Sequence, residues 1–298
     1  MKIQRQPATK LCRLAATVIA FFGIAFTLAH ADSPVWAVSK GDNTVYLAGT
    51  LHVLKAEDFP LPEQFKQAYQ DSDDVYFEVD LNKFNSVEVQ TSLATRVAWQ
   101  DGTTLEDVLS PAVLERLKGQ LDSYGIPLGM IKHYKPGPAA ITVSMLEMQR
   151  LGMSEAGVED HVMKWVSADD RKVFGLETAE KQIAYLLEMG GSTPDDIIGF
   201  TIDDLSGLES QVDIMRTAWR KGDAEAIDQG ILSAMRADYP EIYQQLIVER
   251  NNNWMPELEA LLADADTEMV LVGIGHLAGP DSLLGLLAAR GYQIRQLD

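Results

Sequence analysis

The chain is nearly without cysteine: Cys12 is the only one in 298 residues. It precedes an apolar stretch near the amino terminus, where a lipoprotein anchor does not fit, and with no second cysteine no disulfide can staple the fold. Basic residues are scarce as well. Lys and Arg number 25 against 44 Asp and Glu, a formal charge of −19. That balance argues against nucleic acid and anionic lipid as partners, and its plain meaning is solubility. Beyond residue 31 no apolar run approaches the ~20 residues of a spanning helix, so no stable membrane insertion is expected of the mature chain. His-Glu-x-x-His, a phosphate-cradling glycine loop and Gly-x-Ser-x-Gly are all missing. Ordinary zincins, P-loop enzymes and serine hydrolases are thereby excluded.

Residues 1–31 read as a secretory signal. Lys2, Arg5, Lys10 and Arg13 form a basic start, Leu14 to Leu28 an apolar middle, and Ala29-His30-Ala31 a small-residue cleavage site. Cleavage after Ala31 removes Cys12 and leaves residues 32–298 as a single α/β domain with a formal charge of −23. A cysteine-free exported chain points to the periplasm or the exterior of a bacterium.

The ends of this domain carry the β-structure. Val35–Val38 and Thr44–Ala48 flank a Gly-Asp-Asn turn and read as a hairpin. A helix from Leu61 to Tyr69 and a strand from Asp74 to Val79 follow. The middle is mostly helical, with breaks at Lys135-Pro136-Gly137-Pro138 and a short strand at Lys172 to Gly175. The last part returns to strand (Thr267 to Ile274), helix (Asp281 to Arg290) and strand (Tyr292 to Leu297). A strand ending in Gly-x-x-His, then a helix, then a strand occurs once at each end. The expected fold is a central mixed sheet built from two related half-units, with a large helical insert between them.

The two Gly-x-x-His segments are Gly49-Thr50-Leu51-His52 and Gly273-Ile274-Gly275-His276, which hold two of only five histidines. Each imidazole leaves the carboxyl end of a strand, where open α/β sheets collect ligands. Glu78 lies inside an apolar strand, and a buried carboxylate needs a partner, a proton or a metal. His52, His276 and Glu78 are therefore the candidate catalytic residues. Two imidazoles and a carboxylate suffice for a divalent metal with an open position. Alternatively, Glu78 is a general base beside a metal held by other carboxylates, or one histidine is the base of a metal-free ester hydrolysis. Arg250 is expected to bind a substrate carboxylate or to neutralise Glu78. Glu177 is a further ligand or substrate contact, or merely an exposed helix-start glutamate. His133 and His161 lack a partner motif and read as structural.

These two motifs, with Phe77-Glu78-Val79-Asp80, Gly157-Val158-Glu159, Gly175-Leu176-Glu177-Thr178 and Arg250-Asn251 followed by Trp254, resemble the TraB/GumN family, which includes the Tiki proteases. The motifs run in order over nearly the whole mature chain. The resemblance implies a fold akin to the erythromycin-esterase and ChaN-like group, and a Tiki-like metallopeptidase activity supported by manganese or cobalt, with zinc as a further candidate. The essential histidines and glutamate would fall on His52, His276 and Glu78, and the partner would be a peptide or protein substrate. The alternative from the same fold group is a haem- or metal-binding periplasmic protein.

Overall fold

The computed structural model describes residues 33–298, apart from the side chains of residues 206, 208, 210 and 211. The signal segment and Cys12 lie outside the described residues. Eight strands form: β1 (Val35–Lys40), β2 (Asn43–Thr50), β3 (Val53–Leu54), β4 (Asp74–Val79), β5 (Glu155–Ala156), β6 (Val173–Glu177), β7 (Glu268–Gly273) and β8 (Gln293–Gln296). Six of them make one mixed sheet in the order β6-β4-β7-β2-β1-β8, and β3 pairs with β5 in a separate two-stranded ribbon. The fold class is therefore the expected one, mixed α/β with a central mixed sheet.

The hairpin of β1 and β2 closes through Gly41-Asp42, with Lys40 opposite Asn43. From β2 onward the pairings β2–β7, β7–β4 and β4–β6 are all parallel. Parallel strands of one sheet need crossovers, and these are helical. Glu63–Asp71 connects β2 to β4, and Leu283–Ala289 connects β7 to β8. In β7 the run Glu268 to Val272 is buried at every position, as a strand covered on both faces requires. Trp219, from the long Pro194–Lys221 helix, donates its indole N–H to the Gly49 carbonyl at 2.9 Å and so ties the helical insert to the end of β2.

The two Gly-x-x-His segments lie side by side, because β2 and β7 are adjacent and Thr50 stands opposite Gly273. Glycine at 49 has a packing reason: a Cβ there would run into the Ile274 side chain of the second segment. The helical insert is not purely helical. β6 arises within it and forms one sheet edge, and it runs two residues further than the sequence suggests, so Glu177 is the last residue of a strand. Two π-helical turns, Asp228–Leu232 and Gln244–Val248, were not foreseen. The second leads directly into the Glu249–Leu261 helix. Among the described residues no helix is long and apolar enough to cross a membrane.

At the amino end of β7, Glu268 is buried at 3% exposure, and its Oε2 has no hydrogen-bond partner among the described residues. Burial, reinforced by Asp264, Asp266, Asp74 and Asp73, pushes its carboxyl up to about 7. A carboxyl raised above its ordinary value stabilises the fold below that value, and the contribution is lost as pH rises through the folded pKa. Glu268→Gln is therefore expected to raise stability at pH 8 by on the order of 1–3 kcal/mol and to change little at pH 4. Urea melts at the two pH values check this; equal effects at both would contradict it.

Candidate active site

Four neighbouring parallel strands deliver the site at their carboxyl ends. β4 brings Glu78, β6 brings Glu177, the turn after β7 brings His276, and the turn after β2 brings His52. The Glu249–Leu261 helix lies across this edge and contributes Arg250, Asn251 and Trp254. Its residues 250, 251, 254 and 258 recur at helical spacing, and Asn251, Trp254 and Leu258 are fully buried.

Arg250 is the hub. Its Nη2 donates to Glu78 Oε2 at 2.6 Å and to Glu177 Oε1 at 2.7 Å. Its Nη1 lies 3.3 Å from His276 Nε2. Its Nε is buried and has no hydrogen-bond partner among the described residues, and the guanidinium carbon sits 4.6 Å from the Trp254 ring centre. Glu177 is 1% exposed at its side chain. Its second oxygen accepts from the Trp254 indole at 3.2 Å. The exposed helix-start reading of Glu177 therefore does not hold; the extra length of β6 draws it beneath Arg250. Burial pushes its carboxyl up, against the pull of Arg250.

Glu78 accepts the Gly273 backbone N–H at 2.8 Å through Oε1, which lies 3.8 Å from His276 Nε2. Gln182 reaches Oε2 at 3.4 Å. Burial opposes the charge of Glu78, but Arg250 and the Gly273 N–H outweigh it and hold the carboxyl far below its ordinary range. The salt bridge weighed for Glu78 is thus present, with Arg250 as its partner.

His276 has a defined tautomer. Asn251 uses its amide N–H groups on the Asp281 and His276 carbonyls, at 2.8 and 3.3 Å. Its Oδ1 must therefore accept, and His276 Nδ1, 2.7 Å away, donates. Nε2 then carries the lone pair. Burial lowers the pKa of this imidazole to about 3, so it is neutral at physiological pH.

His52 follows the same pattern on the other strand. Its Nδ1 lies 2.8 Å from Glu159 Oε1, an oxygen that also accepts from Thr50 Oγ1 at 2.6 Å. Glu159 reaches this place because Gly157 lets the start of the Val158–Asp169 helix close onto the 51–52 backbone. A Cβ at Gly157 would strike the Leu51 and His52 carbonyls, and Val158 N–H donates to Leu51 O at 3.1 Å. The Glu159 charge and hydrogen bond raise the His52 pKa to about 9. Glu159 is itself lowered, since His52 and Thr50 outweigh the cost of its burial. The His52 side chain is 73% exposed and makes no hydrogen bond to Glu78 or Arg250 among the described residues. It feels both electrostatically. Glu159→Gln removes the main cause of the shift. The His52 titration midpoint, followed by NMR of the imidazole, is expected to fall from about 9 toward the ordinary 6.5; an unmoved midpoint would show that Glu159 is not its cause.

The structure thus gathers Glu78, Glu177, Arg250 and His276 into one buried network and sets His52 at its exposed side. His161 packs between Phe59 and Trp165, at 5.2 and 5.3 Å, and His133 faces the Thr103 carbonyl; both stay outside the site. The pairing of Glu159 with His52 and that of Asn251 with His276 were missed by sequence reasoning. Their only signal was their place inside the Gly157-Val158-Glu159 and Arg250-Asn251 motifs.

The donors suit a divalent ion in type: two imidazoles, each with Nδ1 held by an oxygen acceptor, and an ionised carboxylate beside one of them. Among the described residues no three His, Cys, Asp or Glu side chains converge as a ready cage. Arg250 holds the position nearest His276 Nε2.

The model of the TraB/PrgY/gumN family matches residues 34–296. The chain is 23% identical over 251 residues to the uncharacterized protein YbaP of Escherichia coli, covering 83% of this chain and 89% of that one. It is 37% identical over 93 residues to Metalloprotease TIKI1 of Danio rerio, and 34% identical over 107 residues to Metalloprotease TIKI2 of Xenopus tropicalis. These two matches cover 30% and 35% of this chain and 18% of each relative. No solved structure gives a significant match.

Proposed function

Because the chain belongs to the TraB/PrgY/gumN family, we propose that it is an exported, metal-assisted hydrolase of peptide bonds centred on His52, His276 and Glu78. One observation carries the reading. Both Gly-x-x-His imidazoles have Nδ1 fixed by an oxygen, Glu159 Oε1 for His52 and Asn251 Oδ1 for His276, which leaves Nε2 as the ligating atom of each; at His276 an ion would take the place that Arg250 Nη1 holds at 3.3 Å. Histidines that bind metal are oriented in this way by their outer partners. The partial likeness to two proteins named as metalloproteases supports the same class of reaction.

His52 and His276 would hold the ion, manganese, cobalt or zinc, through Nε2. Such an ion lowers the pKa of a bound water and polarises a carbonyl. Glu78 stays ionised at neutral pH and accepts the proton of the attacking water. As the water oxygen bonds to the peptide carbon and the C–N bond breaks, Glu78 returns that proton to the leaving nitrogen. Arg250 keeps Glu78 oriented and balances its charge. Glu177 and Trp254 hold Arg250 in place rather than meeting the substrate themselves.

The test is hydrolysis of a peptide library by the purified protein after chelation and after reloading with manganese or cobalt. Activity that disappears on chelation and returns on reloading is expected. Activity untouched by chelation would overturn the metal-assisted reading in favour of a metal-free hydrolase, with the His52–Glu159 pair as its base.

A further inference from the structure

Beside His52 the protein encloses a cavity of about 550 Å³, a size typical of ligand sites and far above that of a few waters. Its walls come from the Pro136–Arg150 and Pro194–Lys221 helices and the first π-helical turn, and His52 and Leu51 form part of its lining. Five of the chain's eleven methionines line it: Met145, Met148, Met153, Met189 and Met215. Methionine is flexible and polarizable, and surfaces rich in it adapt to apolar groups of differing shape. The apolar character continues outward, since Met145 at 45% exposure and Ile214 at 68% are also part of the lining. Large apolar side chains left in water beside a greasy cavity mark a binding surface.

The polar groups of the lining narrow the ligand class. No Lys or Arg is among the lining residues, and Asp204 is the one carboxylate. His52, the basic group of the lining, is already paired with Glu159, so a fatty-acid carboxylate or a lipid phosphate finds no unpaired counter-charge here. Ser144, Thr201 and Gln229 offer hydrogen bonds that a hydrocarbon tail does not need and a peptide backbone does.

We infer that this methionine-lined cavity is the subsite for bulky apolar side chains of a peptide, seated so that the adjoining backbone lies at His52. The inference rests on the hydrolase reading for the word substrate; the binding it describes is testable without turnover. Selectivity then comes from burial, at roughly fourfold in affinity per methylene, which predicts strong preference by side-chain size and weak preference among shapes.

Gly230 supplies the variant. It lines the cavity within the π-helical turn, and nothing stands within 4 Å of where a Cβ would be placed. Gly230→Phe therefore fills the space without a clash at Cβ, and Ser144→Phe fills it from the facing helix should the first variant fail to fold. The binding experiment follows the fluorescence of the neutral probe N-phenyl-1-naphthylamine on the purified protein. Its competitors are a capped Leu/Met/Phe tetrapeptide, a capped Ser/Asn/Gly tetrapeptide, decanoate and haemin.

The expected result is probe binding to wild type, displaced at least tenfold better by the apolar peptide than by the polar one or decanoate. Binding should weaken tenfold or more in the filled variant, at an unchanged melting temperature. Equal binding by wild type and a folded filled variant overturns the inference. So does better displacement by decanoate, or a haemin complex whose absorption depends on His52. Apolar peptides that bind in this way but are never cleaved by the metal-loaded protein leave the subsite standing and sink the hydrolase. Cleavage that is blind to side-chain size and unchanged by Gly230→Phe does the reverse.

Discussion

Replacing Arg250 with methionine is expected to cost about 3–5 kcal/mol of stability at pH 7, the penalty of leaving buried charge without its partner. Arg250 neutralises two carboxylates, Glu78 and Glu177, whose side chains are 11% and 1% exposed. Methionine fills a similar volume but returns neither the charge nor the donors. The pH dependence has a definite sign. In the wild type, Glu78 is held below its ordinary range, so its contribution is present above that range and is lost as pH falls. Without Arg250, burial pushes both carboxyls upward, and they take up protons as the medium turns acid. The gap between variant and wild type should therefore be widest at pH 7 and narrow toward pH 4. Adding Glu78→Gln and Glu177→Gln to Arg250→Met should recover most of the loss. Urea melts of the single and triple variants measure this. A deficit under 1 kcal/mol at pH 7, or one that widens in acid, would show that Arg250 is not the counter-ion of the pair.

Glu78→Gln should behave in the opposite way: nearly intact fold, lost activity. The glutamine oxygen still accepts the Gly273 N–H, and Arg250 keeps Glu177 as its counter-charge. The stability change is then on the order of one hydrogen bond, about 1 kcal/mol. Glutamine cannot take a proton from water, so kcat/KM on any peptide that the wild type cleaves should fall by about 10²- to 10⁴-fold. The fall should lie in kcat, because substrate contacts are untouched. A variant that unfolds, or one that retains activity within a few-fold, would remove Glu78 from the role of proton acceptor.

Three strands of the site, β2, β4 and β7, were legible in the sequence because they are central and apolar. Asp74–Val79 is found with the same limits as read from its pattern, and β7 differs by one residue at each end. The hairpin was legible from its turn chemistry. What the strand pattern did not convey is partnership across the chain. The Arg250–Glu78 pair, 172 positions apart, was among the expected partnerships, whereas that of Glu159 with His52, 107 positions apart, was not; sheet order and helix packing bring both together. Glu177 ends a strand rather than starting a helix. The apparent end of the short strand at Gly175 hid two more strand residues, the last of which, Glu177, pairs with Val79, and with them the burial of the carboxylate. The methionines of the helical insert read as ordinary core in one dimension. Five of them instead face a cavity, which periodicity cannot distinguish from a packed interior.

The central claim is that the two Gly-x-x-His imidazoles form one ligand site, and titration of manganese into the purified, metal-stripped protein by calorimetry tests it most directly. Wild type should bind one ion, and His52→Ala/His276→Ala should weaken that binding by at least 100-fold, with each single variant in between. Equal affinity in wild type and the double variant, or no binding by either, would contradict the account.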